Sequence, residues 1–190
     1  MSMGIEREFT FLLNELPVGL DKFPSKILED NYIPADSEHP VVRIRRNGDK
    51  LSIVKKYPAD ADNSEVEGDS SRMIEHTIPL SHKEYDFLNQ LDGKRLKKRR
   101  FFYEIDGKTA DIDVFLDKLA GLVLIDFEFN SEEEMSKFIK PDFIGADVTQ
   151  DSAIAGGILA GKSYADIADA LLEEYNYKPL KNIEKYEEVK

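Results

Sequence analysis

Leu122-Val-Leu-Ile-Asp-Phe-Glu-Phe129 sets Asp126 and Glu128 two positions apart among Ile125, Phe127 and Phe129. Side chains of a strand alternate faces, so the two carboxylates share one side and the three apolar residues the other. The pattern recurs at Glu6/Glu8 beside Phe9 and Phe11, at Arg43/Arg45 around Ile44, at Lys98/Arg100, and at Asp111/Asp113 around Ile112. A single amphipathic strand of this kind shows its charges to water. Five same-sign pairs, of both signs, instead describe a charged surface that curls on itself around a polar lumen, with an apolar outer wall. The plain alternative, charged faces that simply meet solvent, stays open from the pattern alone.

The neighbouring sequence supplies the remaining strands. Asn47-Gly48 separates the runs 41–46 and 50–56, and Asp106-Gly107 separates 98–105 from 108–115. Both dipeptides accept the positive φ of tight hairpin turns. Runs 5–13, 73–78 and 122–129 bring the count to seven, and 27–33 is a weaker eighth. Ser81 caps a helix through Leu91, Ser131 with Glu134 forms a capping box, and Tyr164 to Tyr175 is a third helix with Ile167, Leu171 and Leu172 on one face. Ala59 to Ser71 reads as an acidic loop and Lys178 onward as a weakly ordered tail. The expectation is an α+β chain: an eight-stranded antiparallel β-barrel with helices packed on its outside. Residues 1–160 form the barrel unit and 161–190 a helical extension and tail.

Composition narrows the function. The 190 residues include no cysteine, which removes disulfides, thiolate nucleophiles and zinc–thiolate sites. No export signal or membrane span is evident, so a cytoplasmic protein with no membrane partner is expected. The net charge of −12 argues against nucleic acid as a partner. Basic residues nonetheless gather at 43–46, 55–56 and 94–100. Glu6, Glu8, Asp126 and Glu128 offer hard oxygen ligands of the kind Mg²⁺ and Mn²⁺ take. Arg43, Arg45, Lys55, Lys98 and Arg100 offer the forks and point charges that suit phosphate oxygens. Both signs in one cavity fit a metal-bound polyphosphate. Cross-strand ion pairing without a ligand is the structural alternative.

The same residues carry a resemblance. Glu6-Arg-Glu-Phe-Thr10 with Leu16-Pro17 looks like the N-terminal ExExK strand of the CYTH proteins, the triphosphate tunnel metalloenzymes. Val42-Arg-Ile-Arg45, Lys55, Arg72 ahead of Glu75 and Ile78-Pro-Leu80, and Lys98-Arg-Arg100 follow in order. Asp111-Ile-Asp-Val-Phe115, the run 119–129 and Ile144-Gly-Ala-Asp-Val-Thr149 complete a similarity over about residues 5–160. The resemblance implies a triphosphate tunnel working with Mg²⁺ or Mn²⁺, and a metal-dependent triphosphatase whose first substrate candidate is inorganic triphosphate. A non-catalytic polyphosphate or nucleotide sensor and an adenylyl cyclase are the alternatives.

Carried over, Glu6, Glu8 and Glu128 are metal ligands or hold metal-bound water, with Asp113, Asp126 and Glu75 supporting. Glu6, Glu8, Lys55 and Glu128 form the catalytic set. Arg43, Arg45, Lys55, Arg72, Lys98 and Arg100 form the substrate clamp. The chain departs from the family at Thr10, where the motif has Lys, and at Thr77, where a second carboxylate is expected. Oligomeric state is left open, a homodimer included.

Three further features have bland readings. His39, His76 and His82 lack metal-ligand spacing. The basic run 94–100 has no aromatic platform for nucleic acid. Gly156 to Ser163 matches a phosphate-loop pattern literally, but no buried strand precedes it, and a helix junction is expected.

Overall fold

The computed structural model describes residues 5–61, 67–105 and 107–187. Eight strands close into one antiparallel barrel: β1 (Ile5–Leu12), β2 (Ser25–Ile33), β3 (Val42–Asn47), β4 (Lys50–Pro58), β5 (Arg72–Pro79), β6 (Lys94–Ile105), β7 (Lys108–Phe115) and β8 (Val123–Phe129). Around the barrel the order is β1-β5-β4-β3-β2-β6-β7-β8, and β8 returns to pair with β1. The first hairpin turns one residue later than its dipeptide suggests. Asn47 pairs with Lys50, so Gly48 and Asp49 are the turn residues, and Gly48 takes φ 58°. In the second, Ile105 pairs with Lys108 and Gly107 has φ 76°, while Asp106 lies outside the described residues, as does the middle of the acidic loop at 62–66.

The barrel is polar within and apolar without, as the alternation requires. Phe11, Ile112, Val114, Ile125, Phe127 and Phe129 form a buried cluster on the outer wall. This wall must be covered. Met135 of α2 (Glu132–Ser136) and the Phe138 ring behind it supply one cover, with Phe138 4.7 Å from Phe127 and 5.2 Å from Phe129. Ser131 caps α2 by accepting from the Glu134 N–H at 3.1 Å, but the Glu134 carboxylate accepts from Asn130 N–H rather than from Ser131, so the box is only half formed. α1 (His82–Leu88) has the full box at Ser81 and lays Tyr85 and Leu88 over Ile44, Leu51 and Ile53.

The lumen rows change character along the barrel. Read toward one end, they run Glu6-Glu8-Thr10-Leu12, Glu128-Asp126-Leu124, Asp111-Asp113-Phe115 and Arg100-Lys98-Leu96. Where the rows turn apolar, Leu12, Leu96, Phe115 and Leu124 join Tyr32 in a second cluster with Val148, Ile154 and Leu159 of the segment 148–160. That segment carries α3 (Gly156–Leu159), which begins at Gly156 after a short 3-10 turn at Ser152–Ile154. No strand precedes the glycines, so they form the expected helix junction. A Cβ on Gly156 would stand 2.2 Å from the Tyr32 hydroxyl, and one on Gly157 2.2 Å from the Pro40 carbonyl, so only glycine lets this segment sit so close.

The C-terminal region differs from expectation in two ways. The third helix divides into a 3-10 turn at Tyr164–Asp166, boxed by Ser163, and α4 (Ala168–Tyr175). Ile167 and Leu171 are buried, but Leu172 is 46% exposed, because α4 meets the barrel along a narrow edge. The described part of the segment after Lys178, through residue 187, is not a loose tail. Leu180 N–H donates to Gly121 C=O at 2.9 Å, Arg99 donates to Tyr186 C=O, and Ile183 and Tyr186 are buried on the Phe101 side of the outer wall. Three apolar residues in a mostly charged segment suffice to dock it. Ile183→Ala is therefore expected to cost about 2–5 kcal/mol of stability, in the range of large-to-small core changes. Urea denaturation checks this, and an unchanged midpoint would show that the docked segment contributes nothing.

Candidate active site

β1 and β8 pair with Glu8 opposite Glu128 and Thr10 opposite Asp126. Directly opposed side chains share a face about 5 Å apart, where like charges repel. With Glu6 one step along the same row, Glu8 and Glu128 make a carboxylate seam on one side of the lumen. Lys56 of β4 reaches into it, its Nζ 2.6 Å from Glu8 and 3.2 Å from Glu6. Burial, then the charges of Asp111, Glu6 and Glu8, push the Glu128 carboxyl up from its ordinary value.

The facing wall is cationic, and each cation is held by an acid. Arg45 makes a two-pronged contact to Asp30, at 2.7 and 2.8 Å. Arg43 bonds Glu75 at 3.1 Å and Tyr32 Oη at 3.4 Å. Arg100 grips Asp113 through Nε at 2.7 Å and Nη2 at 2.6 Å, and also contacts Asp111 at 2.6 Å and Asp126 at 3.3 Å. Lys98 bonds the same Asp113. Asp30 and Asp113 are 3% and 1% exposed, so they lie behind the cations. Burial alone would raise both carboxyls. The Arg45 charge holds Asp30 below the ordinary carboxylate value, and Arg100 with Lys98 holds Asp113 well below it. Both walls line one cavity of about 360 Å³, which extends past Thr149 to His39, Pro40 and Gly157.

These contacts sort the expected residues. Glu6, Glu8, Thr10, Arg43, Arg45, Lys98, Arg100, Asp126 and Glu128 line the cavity together, with Glu75 beside them. Two expected residues stand elsewhere, and a third has a different role. Lys55 points to the outer face, its Nζ 5.4 Å from the Tyr57 ring, and Lys56 takes the lumen position. Arg72 lies on the outside, tied to Glu132 and Asp69, because a residue three before lumen-facing Glu75 has the opposite parity. Asp113 lines the lumen, but its oxygens are occupied by Arg100 and Lys98, which suits an anchor for cations rather than a metal ligand. Sequence reasoning chose Lys55 over its neighbour Lys56, missed Asp30, Tyr32 and Thr149, whose Oγ1 accepts from the Thr10 N–H at 3.0 Å, and set His39 aside. The Lys56 signal was present: pairing across a hairpin keeps partners on one face, and the partners of Arg43 and Arg45 are even-numbered.

The seam suits a hard cation by its chemistry. Its donors are all carboxylate oxygens, and burial, with the charges of Asp111, Glu6 and Glu8 added, raises Glu128. Among the described residues no three His, Asp or Glu side chains stand in metal-holding geometry; in this arrangement Lys56 provides the seam's positive charge.

A closed antiparallel barrel with a cationic wall facing a carboxylate seam is a charged tunnel, polar within and apolar without. Comparison with known proteins carries this further. No family model matches the chain. It is 29% identical over 158 residues to an inorganic triphosphatase of Nitrosomonas europaea, covering 82% of this chain and 96% of that protein. It is 30% identical over 144 residues to an inorganic triphosphatase of Acetivibrio thermocellus, covering 75% and 85% respectively. A crystal structure of an inorganic triphosphatase shares the fold, with a TM-score of 0.59 at 24% identity, over 85% of this chain and 98% of that one. The chain belongs to the CYTH family of triphosphate tunnel proteins.

Asp126 yields a test of the site's electrostatics. Burial, followed by the charge of Asp113 and then Glu8, pushes its carboxyl up to about 7 against the pull of Arg100. An unfolded aspartate titrates near about 4. Between these values the folded chain holds a proton that the unfolded chain has lost, so this group's contribution to stability falls as pH rises from about 4 to about 7, and the penalty is constant above. An asparagine in its place, which does not ionise, would escape the penalty. In chelator-treated protein, Asp126→Asn is expected to match the parent near pH 4 and to melt higher at pH 8, on the order of 5 °C. A difference that does not vary with pH would refute the assignment.

Proposed function

We propose that this chain is a metal-dependent phosphoanhydride hydrolase that cleaves a linear triphosphate inside the barrel, with inorganic triphosphate as its first substrate. The observation that carries the reading is the division of one lumen into a cationic wall and a carboxylate seam. Arg43, Arg45, Lys98 and Arg100 lie along the first, and Glu6, Glu8 and Glu128 along the second. An extended polyanion meets several cations at once, which a lone phosphate cannot. The similarity to two proteins named inorganic triphosphatase supports the same substrate.

Phosphoryl transfer asks a protein chiefly for positioning and charge neutralisation. Arg45 and Arg100 are held in fixed orientation by Asp30 and Asp113, so their remaining N–H groups are directed before the substrate arrives. Glu6, Glu8 and Glu128 would hold Mg²⁺ or Mn²⁺, with Asp126 beside them; the bound cation supplies charge neutralisation of phosphate oxygens and a more acidic water. Lys56 bonds the same carboxylates and can turn to a phosphate oxygen when a cation takes its place. A carboxylate of the seam orients the attacking water by accepting its hydrogen bond. Thr10 adds a hydroxyl rather than a charge, and that hydroxyl donates to Asp126 Oδ1 at 2.8 Å.

Phosphate release from inorganic triphosphate, ATP and thiamine triphosphate with Mg²⁺ or Mn²⁺ tests the reading. Inorganic triphosphate is expected to turn over fastest, and Glu128→Gln to lower turnover about a hundredfold or more without unfolding the chain. Metal-dependent binding without phosphate release would identify a sensor instead, and formation of a cyclic nucleotide from ATP a cyclase.

The two adjacent lysines give a sharper test. Lys56→Ala is expected to reduce kcat/KM on triphosphate by roughly a hundredfold, and Lys55→Ala to leave it within about twofold. The opposite ranking would mean that the β4 register in the working enzyme differs from the one described.

A further inference from the structure

A second cavity, of about 590 Å³, lies outside the tunnel, against the start of β6. It is bordered by Lys94, Arg95 and Lys97 of β6, Lys118 of the turn after β7, and Lys162 of the turn after α3. Five cations from three segments thus meet three carboxylates, Glu29, Asp30 and Asp117, on this rim, which leaves it net positive in a chain whose net charge is −12.

Their partners set this groove apart from the tunnel. In the lumen each arginine and lysine is matched by a carboxylate within hydrogen-bond reach. In the groove, Arg95 donates only to the Asn89 C=O at 2.8 Å and the Asn89 side chain at 3.2 Å, and Lys94 donates to the Ser37 C=O, all neutral acceptors. Lys97 stands 3.8 Å from Glu29, which Arg46 also approaches at 3.6 Å. Among the described residues, Lys94, Arg95, Lys118 and Lys162 have no carboxylate within 4.0 Å. Glu29, Asp30 and Asp117 on the rim and Asp166 near Lys118 and Lys162 offset part of this charge, and an anion would join the remainder.

Backbone geometry builds the convergence. Gly161 takes φ 82°, a conformation that favours glycine, and its N–H donates to the Arg95 C=O at 3.0 Å, which sets Lys162 beside β6. The glycine-lysine pair of the phosphate-loop-like stretch therefore has a place in the fold without any phosphate loop. The basic run 94–100 is likewise divided, with Lys98 and Arg100 facing the lumen and Lys94, Arg95 and Lys97 bordering the groove at the start of the strand.

We propose that this groove is a second binding site, for condensed phosphate anions, on the outside of the barrel. Several lysine point charges around a small cavity suit an anion with many charges in little volume. The aromatic ring that borders it, Tyr85, is 4% exposed, so it offers no platform on which a nucleic-acid base would stack. The proposal is independent of hydrolysis in the tunnel and stands or falls without it.

Isothermal titration of the full chain with inorganic triphosphate in EDTA, where metal-dependent turnover is suppressed, tests the proposal on the parent, Arg45→Ala and Lys118→Ala/Lys162→Ala. Both lysines lie at the surface, so folding should survive, and circular dichroism checks it. The expected result is a site whose affinity falls roughly tenfold or more in the double lysine variant, persists in Arg45→Ala and weakens with added salt. Metal-dependent turnover of triphosphate at saturation should be the same in the parent and the double lysine variant. Binding unaltered by the lysine changes would overturn the proposal. So would a short RNA that binds the parent but not the lysine variant while triphosphate leaves that site empty.

Discussion

Asp30 and Asp113, two carboxylates buried behind the lumen cations, are the groups on which the interior depends. Arginines inside a closed sheet lose most of their hydration, and without a counter-charge the barrel would either open or fill with water. Each acid orients its arginine by a two-pronged contact, so charge compensation and geometric order come from the same bonds. Pairing does not cancel the clamp. A guanidinium has five N–H donors; Asp30 takes two from Arg45, and Asp111, Asp113 and Asp126 together take four from Arg100.

An interior of this kind reverses the usual polarity of a barrel and imposes a condition on the rest of the chain. The outer wall is now the apolar surface, and α1, α2, Phe138 and the segment through Tyr186 exist as covers for it. The apolar ends of four lumen rows impose a second condition, met by Val148, Ile154 and Leu159. What looks peripheral in the chain order is therefore part of the barrel's stability, which is why a mostly charged C-terminal segment still docks through Leu180, Ile183 and Tyr186.

This reversal is also what made the fold legible. Strand alternation at Glu6/Glu8, Arg43/Arg45, Asp111/Asp113 and Asp126/Glu128 assigned the lumen side before any topology was known, and the β1–β8 closure then joined the two acidic strands. Errors arose where parity was not carried through. Lys55 and Lys56 are chemically equal in the sequence, and only the hairpin partners of Arg43 and Arg45 separate them; Arg72 fails the same test against Glu75. Asp30 was hidden for another reason, since it lies in the strand with the weakest pattern and its role comes from Arg45 on the neighbouring strand. The docked C-terminal segment was hidden by composition, because two buried side chains and one partly buried side chain among many charges leave no periodic trace.

The replacement of the family lysine by Thr10 alters how the carboxylate seam is neutralised. A lysine opposite Asp126 would keep that carboxyl ionised by direct pairing. Thr10 instead donates one neutral hydrogen bond to it, and Asp126, between Asp113 and Glu8 and contacted by Arg100 at 3.3 Å, is pushed up to about 7. In the metal-free protein near neutral pH, a proton thus supplies part of the charge that a lysine would have supplied. With Thr10 carrying no charge, the lysine that bonds Glu6 and Glu8 is Lys56, which reaches them from across the lumen.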